Sequence, residues 1–320
     1  MSKKLKPDWA GEDLLSRFVN LLIQTEPIYK IMKHQARQTI IKTAEKNGIP
    51  WRQNYEKLEK SGVKQYLATV TNPKVSYPNY YKVPFHAYSE GNLCWQAAFE
   101  APSATYSMAL RVWKNEPLTW EVAHNRLRGS FHNVLSIYGP KQVRDILDIG
   151  CSVGISTLTL HRYYQKTQNH PVRTVGLDLS PYMLVVAKTL DTNNEISQWL
   201  HALAEDTNLP NNSFDLVTMQ FVTHELPQEP SRAIFQEAFR LVRPGGAIAL
   251  VDNNPKSQVI QNLPPVLFTL MKSTEPWSDE YYTFNLEEEL KKVGFEAPLT
   301  VESDPRHRTI IANKPVSNFN

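Results

Sequence analysis

Asp148-Ile-Gly-Cys-Ser-Val-Gly154 joins a short apolar run to a helical pattern, and its reading decides the fold. Asp145–Ile149 before it has the length and composition of a buried strand, and residues 156–165 after it repeat at helical spacing. Glycine at a strand-to-helix turn lets the backbone approach a ligand closely. The helix that follows offers free N–H groups at the same place. Spacing sorts the ligands that use such turns. A dinucleotide turn needs G-x-G-x-x-G, and counting from Gly150 the other two glycine positions hold Ser152 and Ile155. A phosphate loop needs Gly-Lys-Ser/Thr after the turn, and none follows here.

Outward from this turn, short apolar runs at 174–178, 198–202, 214–219 and 247–252 alternate with helical patterns at Pro181–Leu190 and 231–241. Such alternation predicts a mostly parallel sheet covered on both faces. After a break from Pro255 to Asn285, Leu286–Val293 reads as a helix, and 299–303 and 309–313 read as two late strands able to pair as a hairpin. Toward the N-terminus, residues 1–65 read as helices punctuated by Pro7, Pro27 and Pro50, with a stop at Asn47-Gly48. Three prolines between Asn72 and Gly91 forbid a continuous helix there, and the many tyrosines argue for an ordered extended segment or lid. Helical patterns resume over 96–112 and 119–138, and Gly139-Pro140 marks a boundary. The chain thus divides into a mainly helical region over 1–140, with a lid at about 66–95, and a ligand-binding domain over 141–320 with an insertion at about 253–285.

Composition narrows the functional classes. With 41% hydrophobic and 21% charged residues, the chain can form an ordinary globular core. The net charge of +3 is spread without a Lys/Arg run, which disfavours nucleic acid as a partner. Two cysteines, Cys94 and Cys151, make neither a disulfide framework nor a four-ligand metal site, so no metal is expected. No apolar stretch is long enough to span a bilayer, and the first residues lack a signal core. These features predict a cytoplasmic protein. The stretch from Leu14 to Ile23 reads as an amphipathic helix packed on its own protein, with weak peripheral membrane contact as the alternative.

Asp148–Gly154 resembles the acidic-x-Gly-x-Gly-x-Gly turn of class I S-adenosylmethionine-dependent methyltransferases, with Ser152 in place of the middle glycine. The resemblance extends in the family's order through Gly176-Leu-Asp-Leu-Ser180, Ala204-Glu-Asp-Thr-Asn-Leu-Pro210, Phe214-Asp-Leu-Val217, Gln220-Phe-Val-Thr-His-Glu-Leu226 and the Arg243-Pro-Gly-Gly246 turn. It covers about residues 145–313. It implies a Rossmann-like, seven-stranded, mostly parallel α/β sheet whose last strand runs antiparallel, under a helical N-terminal cap. It also implies S-adenosyl-L-methionine as cofactor. Asp148, Gly150, Ser152 and Gly154 would hold its methionine end, with Gln220 alongside. Asp178 would accept the ribose hydroxyls, Leu179 and Met183 would border the adenine, and Asp206, or Glu205 in its place, would receive the adenine amino group.

A sulfonium methyl already carries an excellent leaving group, so such a protein mostly aligns the reactants and excludes water. His224 follows the fourth strand on the side where ligands sit, and is the candidate general base, with Glu225 to orient it or bind substrate. Tyr81, His86 and Tyr88 from the lid and Trp277 from the insertion are the candidate acceptor wall, in company with Phe268 and other aromatics. The same aromatics could equally cement the cap to the core. The run of motifs is nearest to quinone-methylating, small-molecule enzymes. Three rivals remain: a nucleic-acid methyltransferase, a nicotinamide-dependent dehydrogenase opposed by the failed G-x-G-x-x-G, and a cofactor-binding module without catalysis. Oligomeric state has no sequence signal.

Overall fold

The computed structural model describes residues 26–316 except 87, 265–268, 270 and 272. The 14–23 stretch and Phe268 lie outside the described residues. The helices and strands follow in chain order: α1 Glu26–Lys46, α2 Trp51–Lys60, α3 Leu67–Val70, α4 Trp95–Val112, α5 Trp120–Tyr138, β1 Asp145–Ile149, α6 Ile155–Thr167, β2 Arg173–Asp178, α7 Pro181–Leu190, β3 Gln198–His201, β4 Phe214–Gln220, α8 Gln228–Leu241, β5 Val242–Asn253, α9 Gln258–Gln261, α10 Ser278–Thr283, α11 Leu286–Val293, β6 Glu296–Glu302 and β7 His307–Asn313. Local chemistry explains their ends. The Thr119 hydroxyl caps α5 by accepting Val122 N–H, and Ser180 caps α7 just before Pro181, the favoured first position. α11 starts at Asn285, carries three glutamates in its first turn and two lysines in its last, and stops at Gly294 with φ 115°.

Among the described residues, seven strands form one sheet in the order β3-β2-β1-β4-β5-β7-β6. Pairings from β3 through β5 are parallel, and β7 runs against both β5 and β6. The class I expectation of a Rossmann-like sheet with a reversed last strand is met. Arg243-Pro-Gly-Gly246 leads from α8, which ends at Leu241, into β5, which begins at Val242. Pairing with β4 shifts register between Phe214 and Leu216, so the glycines form a bulged strand start.

Side chains of successive strand residues alternate between two cores. Leu147, Ile149, Val217 and Met219 pack with Ile234, Phe235 and Ala238 of α8. Ile146, Leu216 and Ala249 pack on the other face with Phe131 and Leu135 of α5 and Leu160 and Tyr164 of α6. Phe131 is fully buried there, and a cavity at such a site costs about 3–5 kcal/mol. Ala98 and Phe99 of α4 pack against Met183, Val185 and Val186 of α7. Thus α5 covers the sheet directly, while α4 packs on α7. Among the described residues no helix is long and apolar enough to cross a membrane.

Candidate functional site

The turn after β1 rises at the carboxyl end of the sheet, where open α/β sheets bind ligands. Gly150, Ser152 and Gly154 all have positive φ, at 70°, 50° and 76°. A Cβ at Gly150 would come within 2.5 Å of the Val222 side chain, and one at Gly154 would strike the Trp199 ring. These glycines thus leave room for Val222, just beyond β4, and for Trp199 of β3. Ser152 N–H donates to Asp178 Oδ2 at 2.7 Å, and Ser180 N–H donates to Asp178 Oδ1 at 2.8 Å. Asp178 therefore ties the turn to the end of β2. Burial pushes its pKa up, only partly offset by these two donors, to about 6.

Asp148 is buried and saturated. Thr157 Oγ1 donates to its Oδ2 at 2.6 Å, and Thr218 Oγ1 and Gln220 Nε2 donate to its Oδ1 at 2.7 and 3.3 Å. It acts as a post that orients Gln220. That leaves Gln220 Oε1 buried with no partner among the described residues. On the same face of the sheet, Arg128 of α5 is 5% exposed and its Nε also lacks a partner. Its guanidinium lies over the Phe221 ring, 5.4 Å from the centroid. Burial lowers its pKa to about 10 in spite of the Asp148 charge. A buried cation and a buried carbonyl oxygen, both unmet, are complementary to the carboxylate and ammonium of an amino acid. The methionine end of S-adenosylmethionine carries both groups, so the residues present fit that cofactor.

Segment 72–95 lies across the carboxyl ends of the strands. Asn72 N–H donates to His201 Nδ1 at 2.9 Å, Tyr80 OH donates to Glu205 Oε1 at 2.5 Å, and Ser180 Oγ donates to Asn92 O at 2.6 Å. Tyr81 stacks with Tyr77. The structure thus engages Glu205 with the lid, whereas Asp206 is exposed. Leu179 and Met183 are buried at the start of α7, with Ser152 Oγ 3.6 Å from Met183 Sδ.

Beyond β4, His224 sits with Nδ1 2.8 Å from Asp252 Oδ1, an ion pair whose approach misses straight hydrogen-bond geometry. Asp252, next to last in β5, is held in turn by Thr223 Oγ1 at 2.6 Å and the N–H groups of His224 and Asn253. Burial would lower the His224 pKa, but Asp252, Glu275 and Glu225 outweigh it and raise the value to about 10. At neutral pH this imidazole holds its proton, which argues against a resting general base. Glu225 is raised by burial, against the pull of His224, to about 8. Asn92 Nδ2 donates to Glu225 Oε2 at 3.4 Å, and His86 Nε2 lies 3.8 Å from Glu225 Oε1.

His86, His224 and Glu225 are thus brought together, with Tyr81 close enough to feel the charges of Asp178 and Glu225. Tyr88 is not part of this group. Its hydroxyl donates to Glu100 Oε2 at 2.7 Å, beside Arg37, and it fastens the lid to α4. Trp277 is half-buried at the head of α10, while Tyr281 from the same helix reaches the His224 ring. Asp252, Glu275, Asn92 and Arg128 escaped the sequence reading. Arg128 had a signal: with His124 and His132 it forms a polar row at i, i+4 and i+8 beside the apolar face of α5. An open groove of about 700 Å³ along the edge of β3 is lined by Thr69–Asn72 and Lys188–His201 residues and shares none of these side chains.

A family profile described as a methyltransferase domain matches residues 147–250. An uncharacterised methyltransferase of Synechocystis sp. is 31% identical over 130 residues, which cover 41% of this chain and 57% of that protein. A demethylmenaquinone methyltransferase of Staphylococcus aureus is 26% identical over 206 residues, covering 58% of this chain and 83% of that protein. Among solved structures, the CMeT domain of the citrinin polyketide synthase has a similar fold, with a TM-score of 0.50 and 14% identity over 69% of this chain and 59% of that one. With the sheet order and the turn after β1, these likenesses identify a class I S-adenosylmethionine-dependent methyltransferase domain. Its cofactor is S-adenosyl-L-methionine.

Proposed function

We propose that this protein transfers a methyl group from S-adenosyl-L-methionine to a small molecule with a hydrophobic or aromatic body, enclosed between the lid and the 253–285 insertion. The cofactor supplies a methyl group on a sulfonium. The chain's own residues do the rest. Gln220 Oε1 and Arg128 hold the ammonium and carboxylate, the Asp178 carboxylate receives the ribose, and Glu205 beside Tyr80 borders the adenine. His86, His224 and Glu225 orient the acceptor's nucleophile, and the lid excludes water. The observation that carries this reading is the convergence of His86, His224 and Glu225, from two separate segments, beside the cofactor turn.

An acceptor of modest size is supported by the name of the Staphylococcus aureus relative, a demethylmenaquinone methyltransferase. Nucleic acid is disfavoured by the net charge of +3 without a basic run. The test is incubation with labelled cofactor and a metabolite extract. A labelled small product, lost in His224→Ala, is expected. Calorimetric binding of the cofactor with no transfer to any fraction would replace this reading with a cofactor-sensing module. Label in RNA or DNA alone would replace the acceptor class.

A further inference from the structure

We propose that the acceptor site also holds one divalent transition-metal ion, bound by His86, His224 and Glu275. The proposal rests on the reading of this cleft as the acceptor site, and it adds an occupant that composition gave no reason to expect. Ligand atoms of the three side chains all lie within 4.8 Å of one another. A tetrahedral site with bonds of about 2.1 Å sets ligands roughly 3.4 Å apart, so small rotamer changes close the cluster. Two imidazoles and a carboxylate suit Zn²⁺, Fe²⁺ or Co²⁺ rather than Mg²⁺ or Ca²⁺.

Two further observations favour an ion over a plain cluster of charges. First, His224 presents one ring nitrogen to the buried Asp252 at 2.8 Å, and Asp252 is itself fixed by three donors. A carboxylate behind a histidine is the usual outer support of a metal ligand: it sets the ring, and the ion displaces the proton from the other nitrogen and releases it to solvent. Second, His86 is held in a left-handed conformation, φ 47°, and its N–H donates to Thr274 O at 2.9 Å. That bond brings His86 of the lid next to Glu275 of the insertion. Backbone strain of this kind persists where the surroundings require the geometry. The ion would join lid, insertion and core. Open coordination positions would favour an acceptor that presents an anionic or ionisable oxygen.

The test uses the full chain, stripped with a chelator and titrated with Co²⁺ at neutral pH. One equivalent should bind, with a visible absorption band of a nitrogen- and oxygen-coordinated ion. His86→Ala and Glu275→Gln should each abolish the band, Asp252→Asn should weaken binding by roughly tenfold to a hundredfold, and His34→Ala should change nothing. S-adenosylhomocysteine affinity, measured on the same samples, reports whether each variant is folded. If the stripped chain binds S-adenosylhomocysteine but no Co²⁺ or Zn²⁺, or if the variants bind Co²⁺ as well as the parent, the metal site is overturned and the methyltransferase reading stands. Failure to bind S-adenosylhomocysteine would strike at the methyltransferase reading instead.

Discussion

Ser152 occupies the middle position of the cofactor turn with φ 50°, a conformation that costs a residue with a Cβ about 1 kcal/mol. Its N–H must point at Asp178 for the turn to close on β2. Ser152→Gly should therefore keep cofactor affinity and raise unfolding stability by a few tenths to about 1 kcal/mol, after the added freedom of glycine in the unfolded chain is subtracted. Urea denaturation checks it. A loss of stability would mean that the Ser152 contact with Met183 outweighs the backbone term. The same bond makes Asp178 a pH-sensitive point. Its pKa of about 6 in the free protein should fall when ribose hydroxyls donate to it, so binding requires the ionised form. Cofactor affinity should be level above pH 6 and weaken below it, by at most about tenfold per unit. Calorimetry at pH 5 and 7.5 reads this, with Asp178→Asn as the flat control. An equal affinity at both would remove Asp178 from the binding set.

At the scale of elements, α5 is the helix whose function its sequence half conceals. Its capping Thr119 and its apolar positions Ala123, Leu127, Phe131 and Leu135 announce a buried helix, and both boundaries were legible to within a residue. His124, Arg128 and His132 interrupt that face, and all three are buried with an unpartnered nitrogen. Nothing in local spacing says that α5 lies over the β4 end, because that depends on which face of the sheet it packs against. The strands read well for the opposite reason: period-two burial is a local property, and β1, β2 and β4 lie within a residue of their expected limits. The site residues divide in the same way. Candidate residues next to the turn motif had a local sequence signal, while Asp252 and Glu275 enter from segments far away in sequence. Arg128→Met separates fold from function. Removing a buried cation whose Nε has no hydrogen-bond partner among the described residues should raise the melting temperature of the cofactor-free chain. It should weaken S-adenosylhomocysteine binding by roughly tenfold or more, the worth of a charge-assisted bond. Affinity for 5′-methylthioadenosine, which lacks the amino-acid end, should not change. Equal losses for both ligands would show that Arg128 supports the site only indirectly.

Taken whole, the molecule has cores that span Gly139-Pro140, where the sequence punctuates the chain. Phe131 and Leu135 share one core with Ile146, Leu160 and Leu216, and Phe99 shares another with Met183 and Val186. The N-terminal helices also carry Arg128 and lead into the lid, so the same segment contributes to both the hydrophobic cover and the proposed ligand site. Residues 141–320 expressed alone would leave these apolar faces in water, at about 25 cal/mol for each Å² uncovered. The fragment is expected to bind a hydrophobic dye, to lose the steep urea transition of the full chain, and to bind no cofactor. Adding residues 1–140 as a separate chain should restore part of the cofactor binding, because the lost surfaces are complementary. A fragment that unfolds cooperatively and binds S-adenosylhomocysteine as the full chain does would show the opposite. The sheet would then be self-sufficient, Arg128 dispensable, and the N-terminal region concerned with the acceptor alone.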